Sequence, residues 1–383
     1  MADKTSLQAQ IFSRLAEVGQ EAWDACAGQE NPFVSYGFLS ALADSGSVGE
    51  GTGWYPRYLA VRGQGGELSA VVPCYAKTHS YGEYVFDQGW ANAFEQAGGR
   101  YYPKLQIAAP FSPVPGPRLL TRGPDTAQLA VALESVAKTY GCSSAHITFC
   151  TAPEWEALGQ AGWLQRLGLQ FHWENQPYAD FDAFLASLSS RKRKAIRRER
   201  REAQAGLTFR ALSGADITPK LWTQFYEFYL STIDRKWGGA YLTPEFFPLL
   251  GARLGDKVVL MLAERNGKPI AGALNLRGGD VLYGRNWGCV EDVPFLHFEL
   301  CYYQAIEYAI AHRLCRVEAG AQGEHKIQRG YLPKPTYSAH YIAHPGLREA
   351  VARFLEGERH HILTTIAEMA QEGPYKTAAA PGA

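Results

Sequence analysis

Asn266-Gly267 lies between two apolar runs, residues 258–263 and 270–276, and it constrains the local fold more tightly than any other pair in the chain. Asn-Gly accepts the positive φ angles of a two-residue hairpin turn, so the two runs are expected to pair as antiparallel strands. Gly278-Gly279 turns the chain again, and residues 281–287 read as a third strand of the same meander. An amphipathic stretch at 295–311 follows as a long helix, and the run Cys315 to Val317 then reads as the end of a buried strand reaching Glu318.

The first half of the chain shows the same order. Residues 58–61 and 68–75 are strand-like and are separated by the turn Arg62-Gly63-Gln64-Gly65-Gly66, and 84–86 is a candidate third strand. A helix is expected over 129–140, stopped by Gly141, with a strand at 145–149. Leu59-Ala60-Val61-Arg62 and Leu262-Ala263-Glu264-Arg265 occupy matching places, each followed by a glycine turn. The repeated plan of helices, meander, helix and strand predicts a duplicated α/β fold with mixed α+β sheets. A length of 383 residues suits two domains. The expected divisions are 1–175, then 176–372 ending in a C-terminal helix over 347–370, then a disordered tail at 373–383. Lys+Arg and Asp+Glu are balanced at 38 each, so no global field recruits nucleic acid or a membrane surface, and such a partner needs a local patch. The seven cysteines form no Cys-x-x-Cys pair and read as reduced core residues of a cytoplasmic protein, with no metal site. No secretory leader and no membrane-spanning run is expected.

Two stretches exceed what folding requires. From Glu318 to Tyr331 the chain packs Glu318, Gln322, Glu324, His325, Lys326, Gln328 and Arg329 among three glycines, directly after a core strand. Ligands of open α/β sheets bind outside the carboxyl ends of strands, so this loop is a site candidate; a solvated surface loop is the other reading. A basic helix at 190–205 carries Arg191, Lys192, Arg193, Lys194, Arg197, Arg198, Arg200 and Arg201 against one acid, Glu199, up to Arg201. Like charges four apart destabilise an isolated helix by a few tenths of a kcal/mol per pair. An anionic partner would offset that, and a solvated helix with its aliphatic stems on the core is the alternative. Further on, Asp234-Arg235-Lys236-Trp237 ends an aromatic helix in a turn that packing alone does not call for.

Several segments together resemble the bacterial FemAB-like family, within the tandem GNAT acyltransferase superfamily that holds the Fem-type peptidyltransferases. They are Asn31-Pro32-Phe33, the run from Tyr81 to Asp87, Tyr101-Tyr102-Pro103-Lys104, the run from Asp234 to Gly238, Gly284-Arg285-Asn286-Trp287, His297-Phe298-Glu299 and the run from Glu318 to Lys326. The resemblance implies two tandem GNAT-like domains and transfer of an acyl or aminoacyl group to an amine of a peptide or cell-envelope precursor. Such chemistry needs a proton acceptor, for which Glu318, Glu299, Glu324 and His325 are candidates. It also needs a cation or N–H to hold the oxyanion, for which Lys326, Arg285 and Arg329 are candidates. Asn286, Trp287, His297, Gln322, Asp234, Lys236 and Trp237 complete the expected binding surface. No Gly-x-Ser-x-Gly motif is present, so direct transfer without a covalent intermediate is expected.

The donor implied by the resemblance is aminoacyl-tRNA, with Arg193, Arg197 and Arg200 as phosphate contacts and no cofactor. Coenzyme A, the donor of ordinary acetyltransferases of this fold, needs a glycine-rich pyrophosphate loop after the third meander strand. Glu291 and Asp292 stand at that place. A coenzyme A-dependent N-acyltransferase and a non-catalytic module that binds a peptide or envelope precursor remain the alternatives.

Overall fold

The computed structural model describes residues 8–63, 65–235, 239–320 and 323–376. The chain divides into two compact units, both discontinuous. The first holds residues 1–168, 241–246 and 335–363, and the second 169–240, 247–334 and 364–383. Each is a mixed α/β unit, as expected, and a long helix, Pro345–Gln371, lies towards the C-terminus.

In the first unit, Gln8–Phe12, Tyr58–Arg62, Leu68–Val72 and Leu120–Thr121 form a four-stranded antiparallel sheet in that order. In the unit's second sheet, Trp54–Pro56 pairs Cys74–Lys77, which pairs Lys104–Ile107. Ser144–Cys150 lies parallel to Lys104–Ile107 on one side and antiparallel to residues 337–342 on the other. The parallel pair is joined through the helix Thr126–Thr139. Asp125 and Gln128 close a reciprocal capping box at its start, and Gly141, at φ +63°, lets the chain leave its end. The third strand after the first meander is therefore Lys104–Ile107 and not 84–86. The latter segment is an irregular loop whose Tyr84 sits at φ +60°.

In the second unit the strand order is Thr208–Ser213, Val258–Arg265, Lys268–Gly278, Val281–Cys289, Arg316–Glu318 and then residues 169–174. All neighbours are antiparallel except Val281–Cys289 with Arg316–Glu318. The predicted hairpin is present, with Asn266 and Gly267 both at positive φ. The expected long helix after the meander is divided into a helical turn Leu296–Phe298, a π-helical turn Glu299–Tyr303 and a helix Gln304–Ala311. The basic helix runs Ser190–Ala203 and buries Ile196 and Ala203. Gly288 is required by packing, because a Cβ there would lie 1.7 Å from the carbonyl oxygen of Phe228 in the helix Pro219–Arg235.

The expected tail is ordered at its start. Ser189 N–H donates to Pro374 O, Lys376 N–H donates to Ser187 O, and the Tyr375 hydroxyl donates to Gly330 O. Residues 377–383 lie outside the described set. All seven cysteines are free thiols, and they are not uniformly core residues: Cys315 is exposed, and Cys26 and Cys301 are half-buried. Among the described residues, no helix is long and apolar enough to cross a membrane.

Candidate active site in the second unit

The parallel ladder between Val281–Cys289 and Arg316–Glu318 has only three pairs, Val281 with Arg316, Leu282 with Val317 and Tyr283 with Glu318. The first strand continues for six residues beyond Tyr283 while the second stops, which opens a notch between them. A bulge sits there. Asn275 pairs with Gly284 and Leu274 with Asn286, so Arg285 is the extra residue. Bulges of this kind re-aim side chains and end pairing beside active sites. The Thr232 hydroxyl donates to Trp287 O at 2.7 Å and fixes the bulged strand from the adjoining helix.

Glu318 marks the floor of the notch. It is buried, and Arg316 Nε lies 2.9 Å from Oε1. That N–H does not point along the line of contact, so neither carboxylate oxygen receives a directed hydrogen bond. Burial pushes the Glu318 carboxyl up to about 7, and the Arg316 charge only partly opposes it. Across the sheet, Glu318 pairs with His172, whose Nε2 is 3.9 Å from Oε2. Burial lowers His172 to about 3, helped by Arg316, Lys334 and Lys326, so this imidazole is neutral.

Lys326 lies on the 3-10 turn Glu324–Arg329, which is entered at Gly323. It is buried, its Nζ donates to Gly320 O at 2.9 Å, and it stands 5.9 Å from the ring centre of Phe171, the neighbour of His172. Glu318 and Lys326 thus flank the same short piece of strand. A second cluster joins the bulged strand to the loop. Trp287 packs on His297 with ring centres 4.8 Å apart, and His297 on Tyr302 at 5.3 Å. The Tyr302 hydroxyl and His325 Nε2 are 2.9 Å apart. Burial, then Arg329 and Lys326, lower the His325 pKa below its usual range. Arg285 and Asn286 are half-buried on the same stretch of strand, and Glu324 is exposed.

Other predicted residues do different work. Glu299 does not face the notch. It is fully buried and accepts from Arg200, Gln204 and Gln304, at 2.7–3.3 Å. A carboxylate so fully engaged is an anchor for the basic helix, not a proton acceptor. Arg200 turns inward to Glu299 and Glu307 rather than outward to a phosphate. Arg329 is buried, grips both oxygens of Glu199 at 2.9 Å, donates to His325 O and lies 3.5 Å from the ring centre of Phe298. It ties the loop to the basic helix, which also accepts a hydrogen bond from Tyr303 through Glu199.

Arg193 is half-buried, and Arg197 is exposed and paired with Asp182. A groove of about 640 Å³ along this helix is lined by Arg197, Arg200 and Arg201 but also by Asp180, Asp182 and Glu307, so it carries no excess of cations. Gln322, Lys236, Trp237 and the Asp234 side chain lie outside the described residues. His172, Arg316 and Tyr302 were absent from the sequence-derived set. His172 sits in a stretch whose only sequence signal was a domain boundary, and its neighbour Glu318 comes from 146 residues later, as their numbers give. Among the described residues, no three His, Cys, Asp or Glu side chains converge as a metal site requires.

A family model described as peptidoglycan biosynthesis/recognition, FemAB-like, matches residues 14–377. No curated protein matches the chain in sequence. Among solved structures, FemX shares 13% identity at a TM-score of 0.53, covering 87% of this chain and 98% of its own. The C-terminal domain of a protein described as a lysylphosphatidylglycerol synthetase from Agrobacterium fabrum shares 10% at 0.54, covering 89% and 96%. L-PGS from Bacillus licheniformis shares 10% at 0.52, covering 85% and 98%. These likenesses concern the fold. The match over nearly the whole length settles the family: this chain belongs to the FemAB-like family of peptidoglycan biosynthesis/recognition.

Proposed function

We propose that the second unit transfers an aminoacyl group from aminoacyl-tRNA to an amine of a peptide-bearing cell-envelope precursor, without coenzyme A. The observation that carries this reading is Glu318, a buried carboxyl that titrates near neutral pH at the point where two parallel strands part. The acceptor amine attacks the ester carbonyl, forming the C–N bond. Glu318 takes the amine proton, directly or through one water. Lys326 holds the oxyanion of the tetrahedral intermediate. As the intermediate collapses, the C–O bond breaks and Glu318 returns the proton to the leaving ribose hydroxyl. The Trp287, His297, Tyr302 and His325 cluster forms an aromatic wall beside this chemistry. The exposed cations Arg191, Lys194, Arg197, Arg198 and Arg201, with half-buried Arg193, supply phosphate contacts. FemX, L-PGS and the Agrobacterium fabrum domain lend support through the shared fold.

Incubating the full chain with aminoacyl-tRNA and a peptide-bearing envelope precursor, and reading the product by mass spectrometry, tests the reading; a mass increase of one residue is expected. Calorimetry supplies the contrary arm. Glu291, paired with Arg265 at 3.0 Å, and Asp292 occupy the place of a pyrophosphate loop. Coenzyme A should therefore bind no tighter than about 1 mM, roughly −4 kcal/mol. A micromolar constant would overturn the donor assignment in favour of a coenzyme A-dependent enzyme.

A further inference from the structure

A short segment after the helix Pro345–Gln371 reaches two elements of the second unit that are far from it in sequence. Glu372 N–H donates to Met369 O and Gly373 N–H to Ala370 O, which closes the helix end. Pro374, which has no N–H to continue the ladder, is buried there. Residues 374–376 then pair with the junction between the helix Phe181–Ser187 and the basic helix Ser190–Ala203. Ser189 N–H donates to Pro374 O at 2.9 Å and Lys376 N–H to Ser187 O at 3.0 Å, which makes an antiparallel bridge between Leu188 and Tyr375. Ser189 is the N-cap residue of the basic helix, so the bridge fixes the start of that helix.

The Tyr375 side chain reaches the second element. Its hydroxyl donates to Gly330 O at 2.7 Å. Burial, then Tyr178 and Glu174, hold the phenol above its ordinary range, so it keeps its proton and stays a donor. Gly330 caps the 3-10 turn Glu324–Arg329 at φ +94°. A Cβ at this position would lie 2.9 Å from the Phe184 ring and 3.1 Å from the Tyr375 hydroxyl oxygen, so glycine is what lets the hydroxyl come close.

The turn carries Lys326, and it holds itself weakly, because 3-10 hydrogen bonds have poorer geometry than α-helical ones. The place of Lys326 therefore depends on ties to the surroundings. Arg329 gripping Glu199 is one, and the Tyr331 hydroxyl donating to Tyr302 O at 3.2 Å is another. Tyr375 on Gly330 adds a third. Tyr331, the next residue, donates its N–H to Lys326 O at 3.2 Å, so a displacement of Gly330 passes directly to Lys326. Turn and basic helix are thus fixed to each other twice, at the helix start through residues 374–376 and at Glu199 through Arg329.

We propose that Tyr375 is a positioning residue, which with residues 374–376 straps the Lys326 turn to the start of the basic helix. A reacting contact displaced by about 1 Å can lose roughly 10²-fold in rate, so the strap governs how well Lys326 meets the oxyanion. The effect on rate rests on the role given to Lys326 above; the effect on the order of the turn does not.

Tyr375→Phe removes the hydroxyl and keeps the ring, so the fold should be retained. In the full chain, amide hydrogen exchange read by mass spectrometry should speed up tenfold or more in peptides covering residues 323–331 and stay unchanged in the meander 258–289. Tyr178→Phe is the control. Its hydroxyl donates to Ser187 Oγ at 3.2 Å, on the same junction, and its loss should leave exchange at 323–331 at the parent value. In the transfer assay, Tyr375→Phe should lower kcat about tenfold with KM for the precursor unchanged, the mark of a contact made in the transition state. Unchanged exchange at 323–331, an equal rise in the meander, or the same rise in the Tyr178 variant would overturn the proposal and leave Tyr375 a packing residue. So would unchanged kinetics, or a raised KM at constant kcat, in an active parent. A parent without transfer activity would sink the function proposed above, and the exchange pattern would still decide the strap.

Discussion

A carboxyl group closed off from water ionises readily only where donors or cations compensate it, and Glu318 has one cation at an unfavourable angle and no directed hydrogen bond. Two measurable consequences follow for this residue. Transfer should rise with pH up to about 7 as Glu318 loses its proton, and Glu318→Gln should abolish that limb and lower the rate 10²-fold or more. Stability responds in the opposite sense. Folded Glu318 holds its proton up to about pH 7, whereas the unfolded chain releases it near 4.5. The stabilising contribution is therefore complete below about pH 4.5 and is lost as pH rises towards 7. Chemical denaturation at pH 5 and pH 8 should show Glu318→Gln gaining on the parent at the higher pH. Lys326 is a different case. A lysine exposed in a cleft would tolerate methionine at little cost, but this one is buried and donates to Gly320 O. Lys326→Met should cost about 1–3 kcal/mol in stability as well as 10²-fold or more in transfer rate, read by denaturation and initial rates.

Among the elements, the basic helix is where sequence and structure part most instructively. Its length, its apolar contact at Ile196 and its end before Gly206 were legible, because they follow from helical period and from a glycine at positive φ. Which cations face outward was not legible, because the partners of Arg200 come from about a hundred residues later, at Glu299 and Glu307. Glutamine at Arg193 and Arg197 should leave stability within about 1 kcal/mol while reducing the log–log salt slope of tRNA binding by about 0.7–0.9 per lost contact. Arg200→Gln should instead strand the buried carboxylate of Glu299 and cost about 3–5 kcal/mol, visible as a lowered denaturation midpoint. The same division between local and distant causes runs through the strands. The Asn266-Gly267 hairpin was legible because turn chemistry is local. Lys104–Ile107 was hidden because Lys104 and Gln106 look like surface residues, yet both are buried. Residues 84–86 looked like a strand because Tyr, Val and Phe favour one, but Gly82 and Tyr84 both take positive φ and the segment stays a loop.

For the whole molecule, the duplicated plan was legible as a repeated order of elements, and the way the chain is shared between the units was not. Residues 335–363 belong to the first unit although most of the second unit precedes them. In particular, the strand Ser144–Cys150 obtains one of its two neighbours from residues 337–342. On a ribosome adding about 5–20 residues per second, the first unit emerges early but must wait through the synthesis of roughly 170 further residues before that edge is paired. Until then a buried-type strand presents an open row of backbone donors and acceptors, the kind of edge that recruits other chains. A chain ended at residue 175 would be held at that stage permanently. It should be recovered as aggregate, and supplying residues 335–363 as a separate peptide should raise the soluble fraction on a sedimentation assay. Order of synthesis and order of folding are thus out of step in this protein, and the interval between them is when it most needs a chaperone.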